Sequence, residues 1–228
     1  MRMWHSIAIN VSRMLASALL IVAALFPIVN PLGSAPIFLS LTPGYSHSDR
    51  AVLSSKIAMN SFFLLVGSIL IGTHILDFFG ISLPIVQVAG GLVILATGWS
   101  LLNRRDHTGH SEKVETITPA EIAQRAFYPL TLPLTVGPGS ISVAITLGAN
   151  ADKHQHGFPF LLVPALLGPA VIALTVYFAY RYSEALARLL GEVAMSVIVR
   201  LSSFILFCIG VQILWNGCKV LLATVRPR

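Results

Sequence analysis

Long uncharged stretches dominate the chain. No Asp, Glu, Lys or Arg occurs from Met14 to Ser48, Ile57 to Leu76, Phe78 to Asn103, Ala126 to Ala151 or His154 to Tyr180. A sixth apolar segment, from about Val193 to Leu214, is interrupted only by Arg200. Each run reaches the roughly 20 residues a helix needs to cross about 30 Å of hydrocarbon. The apolar positions run continuously instead of alternating, which argues against barrel strands. The pattern predicts an all-α integral membrane protein with six transmembrane helices, residues 1–228 forming a single membrane domain.

The connections carry matching signals. Pro43-Gly44 ends the first span, and Ser46 and Asp49 frame a capping box that opens the second. Thr118-Pro119-Ala120-Glu121 repeats that logic with proline at the first helical position. It predicts a short interfacial helix leading into the fourth span. Residues 103–118 form the longest polar linker and divide the chain into halves. Arg13 followed by MLASALLIVAALF imitates a secretion signal, but the apolar run continues to Leu41, too long for one, so the segment is read as retained.

Composition sharpens this reading. The chain is 55% hydrophobic and 11% charged, against roughly 25% charged in soluble domains. The net charge of +6 is read as a device for orientation, with no nucleic acid implied. Arg2, Arg13, Lys153, Lys219, Arg226 and Arg228 fall on the side of the termini. The opposite side holds more basic residues, Arg104, Arg105, Lys113 and Arg125 of the linker among them. The linker is therefore expected in the cytoplasm and both termini in the periplasm. Cys208 and Cys218 form no CxxC pair and are read as packing residues. His107, His110, His154 and His156 lie in loops where no acidic or cysteine partners complete a metal site. No metal and no cofactor is expected. Nor is an enzyme: there is no HExxH, no pair of carboxylates within the spans and no Ser/His pairing at usable spacing.

The first span contains FPIVNPLGSAPIF, residues 26–38, and the fourth contains PLTLPLTVGPGSISVAI, residues 129–145. An offset of 107 superposes Pro31 on Pro138, each with glycine beside it near mid-segment. An offset of 112 superposes Gly90-Gly91 and Gly98 on Ser202-Ser203 and Gly210, with Leu102 falling on Leu214. Two copies of three crossings each must sit in opposite orientations, the inverted-topology plan of many secondary transporters. The boundaries are repeat one at 14–103, a cytoplasmic linker at 104–125 and repeat two at 126–222.

Proline removes a ladder donor and clashes with the preceding turn. In hydrocarbon a broken backbone survives only where it is buried or lines a cavity. Helices restarting at Pro31 and Pro138 would present free N–H groups and positive dipole ends. The expected solute contacts are Asn30, Pro31, Gly33, Ser34, Thr131, Thr135, Gly137, Pro138, Gly139 and Ser140, with Ser142 offering another hydroxyl nearby. Such a site is polar but uncharged, suited to a small zwitterion or neutral polar solute.

At these motifs the sequence resembles the MarC family of bacterial inner-membrane proteins, also called the neutral amino acid transporter family. The resemblance is carried by Asn30 through Phe38, by Leu41-Thr42 and Arg50, and by Pro129 through Pro133, Gly137-Pro138-Gly139 and Ile141. Thr131 and Thr135 stand where the family usually has apolar residues. The resemblance implies an inner-membrane protein moving neutral amino acids such as alanine or glycine.

Other polar residues receive plainer readings. Asn60 and Ser61 are expected to make interhelical hydrogen bonds, and Gln87 and Gln212 to pack or sit at the interface. Arg200 is expected to snorkel, and His74 to be interfacial. No acidic residue lies within the spans. A coupling ion, Na+ or H+, would therefore need backbone carbonyls at the breaks, or His74. The partners expected are the lipid bilayer and a small neutral solute; oligomeric state is left open. The rival reading is a non-transporting membrane scaffold or assembly protein whose breaks are packing devices.

Overall fold

The computed structural model describes residues 2–42, 44–103, 119–154 and 158–225. Pro43, Thr118, His107, His110 and His156 lie outside the described residues. The elements are α1 (Arg2–Val29), α2 (Pro31–Leu41), α3 (His47–Phe78), α4 (Leu83–Leu102), α5 (Pro119–Arg125), a kinked π-helical stretch at Ala126–Thr135, α6 (Pro138–His154), α7 (Phe158–Arg181) and α8 (Ser183–Val225). No strand occurs among the described residues.

Five helical spans are long and apolar enough to cross a membrane: Val11–Leu39, His47–Phe78, Leu83–Leu102, Leu162–Arg181 and Val193–Ala223. A sixth exists only as a bent pair, Glu121–Thr135 with Pro138–Asn150, meeting at 70°. The stretch expected as the fourth crossing is therefore two segments at an angle, in the form of a broken span or a re-entrant loop. Large side chains such as Leu19, Phe63 and Ile71 face outward along the spans, as contact with lipid requires.

Local chemistry explains the element ends. Ser46 Oγ accepts from the Asp49 N–H at 3.1 Å, and the Asp49 carboxylate accepts from the Ser46 N–H at 3.3 Å, so α3 opens on the expected capping box. Beside it, Arg50 is 8% exposed. It donates to the Thr42 carbonyl at 2.7 Å and the Thr42 hydroxyl at 3.2 Å, and pairs with Glu184 at the start of α8. Charge-assisted bonds to Thr42 are worth about 1.5–3 kcal/mol. The pairing with the partly exposed Glu184 carboxylate adds at most about 1 kcal/mol. Thr42, at the end of α2, is thus the main anchor and Glu184 the lesser one. In α8, Gly191 takes a left-handed φ of 72° just before the apolar span begins at Val193.

Two kinds of packing hold the bundle. Around α1, α2, α3, α6 and α7 the core is bulky, with Leu25, Phe38, Leu53, Leu65, Ile172 and Tyr180 fully buried. Between α4 and α8 it is made of backbone. A Cβ on Gly91 would lie 2.5 Å from the Leu214 nitrogen, one on Gly98 2.6 Å from the Phe207 nitrogen, and one on Gly210 2.5 Å from the Leu95 nitrogen. Close approach of this kind is what small residues permit in membrane helices. The glycines seen in sequence thus pack within the chain. The same antiparallel register sets Arg200 level with the C-terminal end of α4, where its side chain is exposed. A rim position fits snorkelling.

Candidate functional site

The two proline motifs fold differently. Asn30 alone separates α1 from α2, in the left-handed conformation (φ 48°, ψ 57°). Its N–H still bonds the Phe26 carbonyl at 2.9 Å, and its own carbonyl accepts from the Ser34 N–H at 2.9 Å. Pro31 has no N–H to give and the Gly33 N–H turns to the Asn30 side chain, yet the two helices still run as one span. Asparagine suits the position, because its short amide tolerates left-handed backbone and bonds locally. Here the Asn30 Oδ1 accepts from the Gly33 N–H at 3.2 Å. A Cβ on Gly33 would meet that amide at 2.3 Å, so any larger residue must displace the cap.

The second motif departs further from a helix. Pro129 and Pro133 push the preceding residues toward extended backbone. Tyr128 (φ −128°, ψ 125°) and Leu132 (φ −106°, ψ 125°) are both extended. Val136 is extended as well, and its N–H returns to the Thr131 carbonyl at 2.8 Å. α6 then starts at Pro138. Its opening turn, Gly139 and Ser140, contributes N–H groups for which a helix has no internal acceptor.

Between the motifs lies a cavity of about 430 Å³, within the roughly 300–1,000 Å³ range of ligand pockets. Asn30, Ser34, Thr135, Gly137, Pro138, Gly139 and Ser140 all line it, so seven of the ten residues expected at the site share one wall system. α4 supplies an apolar face through Val93, Ile94 and Leu101, and α8 adds Leu206. The lining reaches Leu41 and Leu101, so the cavity extends toward the C-terminal ends of α2 and α4. None of the lining residues carries a charge.

Three expected contacts lie elsewhere. Pro31 faces a separate apolar groove with Leu32, Phe178 and Tyr182. Gly33 sits under the Asn30 amide. Thr131 is fully buried behind the wall; its hydroxyl donates to the Ala126 carbonyl at 2.6 Å and accepts from the Asn60 amide at 3.4 Å. Asn60 thus makes the interhelical bond expected of it. Its neighbour Ser61 is fully buried, and its hydroxyl has no partner among the described residues. The Ser142 hydroxyl is spent on the Val86 carbonyl of α4, at 2.8 Å.

Sequence reasoning missed Tyr180. This fully buried residue of α7 stacks on Phe38 of α2, with ring centroids 4.6 Å apart and planes 8° from parallel. Its hydroxyl lies 2.9 Å from that of Thr135. The residue thus ties α2 to the second motif. Electrostatically the two helix starts differ. Asn30 caps α2 with its own side chain, whereas α6 meets the cavity through Gly139 and Ser140. The donor-rich, positive end of the site is therefore at α6.

Apolar spans around an uncharged cavity with interrupted backbone on two sides define a multi-pass helical membrane protein. A sequence profile described as "MarC family integral membrane protein" matches residues 15–222. The chain is 34% identical over 200 residues to the membrane protein YvbG of Bacillus subtilis, covering 86% of this chain and 91% of that one. It is 31% identical over 207 residues to the inner membrane protein MarC of Salmonella typhimurium (88% and 93% covered). It is also 30% identical over 198 residues to the membrane protein MJ1677 of Methanocaldococcus jannaschii (86% and 93%). The chain belongs to the MarC family. No solved structure matches it.

Proposed function

We propose that the protein carries small neutral amino acids, or polar solutes of similar size, across the membrane by alternating access around its two interrupted crossings. The observation that carries this reading is the single cavity lined by both motifs, Asn30 and Ser34 on one side and Thr135 through Ser140 on the other. Unfilled N–H groups at α6 attract a carboxylate, and the hydroxyls and the Asn30 amide serve the remaining polar atoms. The absence of charge on the wall favours a solute without net charge.

Reciprocal packing supports an inverted repeat. The offset of 112 carries Gly91 onto Ser203 and Gly98 onto Gly210. A Cβ on Gly98 would lie 3.0 Å from the Ser203 carbonyl, and one on Gly91 2.9 Å from the Gly210 carbonyl. The offset turns each contact into the other, as a two-fold relation between halves demands. Likewise α2 packs on α7 and α8 while α6, its counterpart, packs on α3 and α4. In this reading the linker is cytoplasmic, both termini are periplasmic, and the cavity is caught facing the linker side.

A thermal-shift screen of purified protein against glycine, alanine, serine and unrelated small solutes, with and without sodium, tests the solute class. A ligand at about 100 times its dissociation constant should stabilise by roughly 2.7 kcal/mol. The gain is expected with small neutral amino acids and should be lost on Asn30→Ala. An equal gain in that variant would remove the Asn30 motif from the site.

A further inference from the structure

The C-terminal end of α7 carries a guanidinium between two apolar grooves. The first groove, of about 540 Å³, lies between α3 and α7, where Met59, Phe62 and Phe63 face Leu174 and Tyr177. The second, of about 370 Å³, is the groove at Pro31, and it runs past Phe26, Leu32, Phe178 and Tyr182 to Leu186. Val171, Leu174 and Phe178 stand exposed on one face of α7 and form the ridge between the two.

Arg181 closes that ridge. Its Cζ lies 5.8 Å from the ring centroid of Tyr177, which lines the first groove, and 6.0 Å from that of Tyr182, which lines the second. Rings hold the flat faces of a guanidinium and leave its N–H edge for a phosphate. Among the described residues no carboxylate takes that edge: Glu184, one turn further on, pairs with Arg50 and lies 3.9 Å from His47. Lys56 follows the groove residue Ser55 and adds a second positive charge at the same end of the bundle. Ala170 is the groove residue of α7 furthest from Arg181. At 1.5 Å per residue it lies about 16 Å away, the depth of one leaflet of a hydrocarbon core about 30 Å thick.

We propose that α7 binds an anionic phospholipid astride it, with the phosphate on Arg181 and one acyl chain in each groove. Two grooves call for two tails, and the cation between them calls for a negative head. A choline head brings its own cation to the guanidinium, whereas a glycerol head leaves the phosphate charge uncompensated. A chain in the second groove touches Pro31 and Leu32, where the first crossing is interrupted, whatever solute the cavity takes.

Native mass spectrometry of the purified full-length protein, titrated in detergent with lipids of matched chains, gives the dissociation constants. Phosphatidylglycerol should bind about tenfold more tightly than phosphatidylcholine, the least that a charge-assisted hydrogen bond is worth. Arg181→Gln should erase that preference. Arg200→Gln, which removes an exposed basic residue of α8, should keep it. Lysophosphatidylglycerol, with one chain, should bind at least about tenfold more weakly than the two-chain lipid, and inorganic phosphate should not displace either. An unchanged preference in Arg181→Gln, or an equal fall in Arg200→Gln, overturns the site. So does a one-chain lipid that binds as tightly as the two-chain one, or displacement by inorganic phosphate, which would make this a site for the free anion. The wild-type comparison of one chain with two decides on its own should Arg181→Gln fail to fold.

Discussion

Gly139→Leu is expected to cut solute transport on the order of 10²-fold while the protein still inserts in the membrane. Misplacement of a site by about 1 Å has a cost of that size. A Cβ at this position would lie 2.1 Å from Ile94 Cγ1 and 2.7 Å from Ile94 Cδ1. Both are side-chain atoms on the cavity wall, so the helices need not part, but the added leucine must displace Ile94 or enter the cavity. Either outcome removes the close approach of solute to the start of α6. Gly139→Ala should give a smaller loss, because one methyl requires only a shift of Ile94. Uptake by reconstituted protein, normalised to the amount inserted, checks both. Full transport by Gly139→Leu would mean that solute does not pass this wall.

Gly98→Leu should instead act on folding. Its Cβ would lie 2.6 Å from the Phe207 nitrogen, 2.9 Å from the Phe207 Cα and 3.0 Å from the Ser203 carbonyl. These are backbone atoms of α8, and no rotamer relieves them. Overpacking a core costs about 1–3 kcal/mol even when side chains can shift, and here two helices must separate. Folded, monodisperse protein should be lost. Gly67 is the control, since nothing lies within 4 Å of its would-be Cβ. Gly67→Ala in the interior of α3 should be neutral or stabilise by up to about 1 kcal/mol. Size-exclusion profiles of the two variants in one detergent separate these outcomes. A monodisperse Gly98→Leu protein with wild-type melting would contradict the backbone contact between α4 and α8.

How much of this was legible beforehand depended on range. Span positions follow from gaps between charges, and the capping box at Ser46 and Asp49 from four adjacent residues. Both are local and both hold. The glycines of α4 and α8 announced close packing, but the partner surface was not readable, because it is formed by residues more than a hundred positions away. The two proline motifs look alike on paper and differ in space. At the first, the chain breaks at Asn30 alone and runs on as one span, while at the second Pro129 and Pro133 hold two residues extended and the chain then turns by 70° at Val136-Gly137. Pro31, Gly33 and Thr131 were grouped with the site by proximity in sequence, yet each points away from the cavity for a reason that only the fold supplies. Tyr180 gave no signal. It stands between Tyr177 and Tyr182 near a span end, where tyrosines commonly anchor at the interface. Its burial against Phe38 and Thr135 separates it from them.

The most direct test of the central claim is counterflow of labelled alanine into proteoliposomes preloaded with unlabelled alanine. The account predicts that liposomes holding the wild type accumulate label faster than protein-free liposomes, and that Gly139→Leu reduces the rate to the protein-free level. Equal rates in all three, repeated with glycine and serine, would contradict transport of small neutral amino acids through the paired motifs.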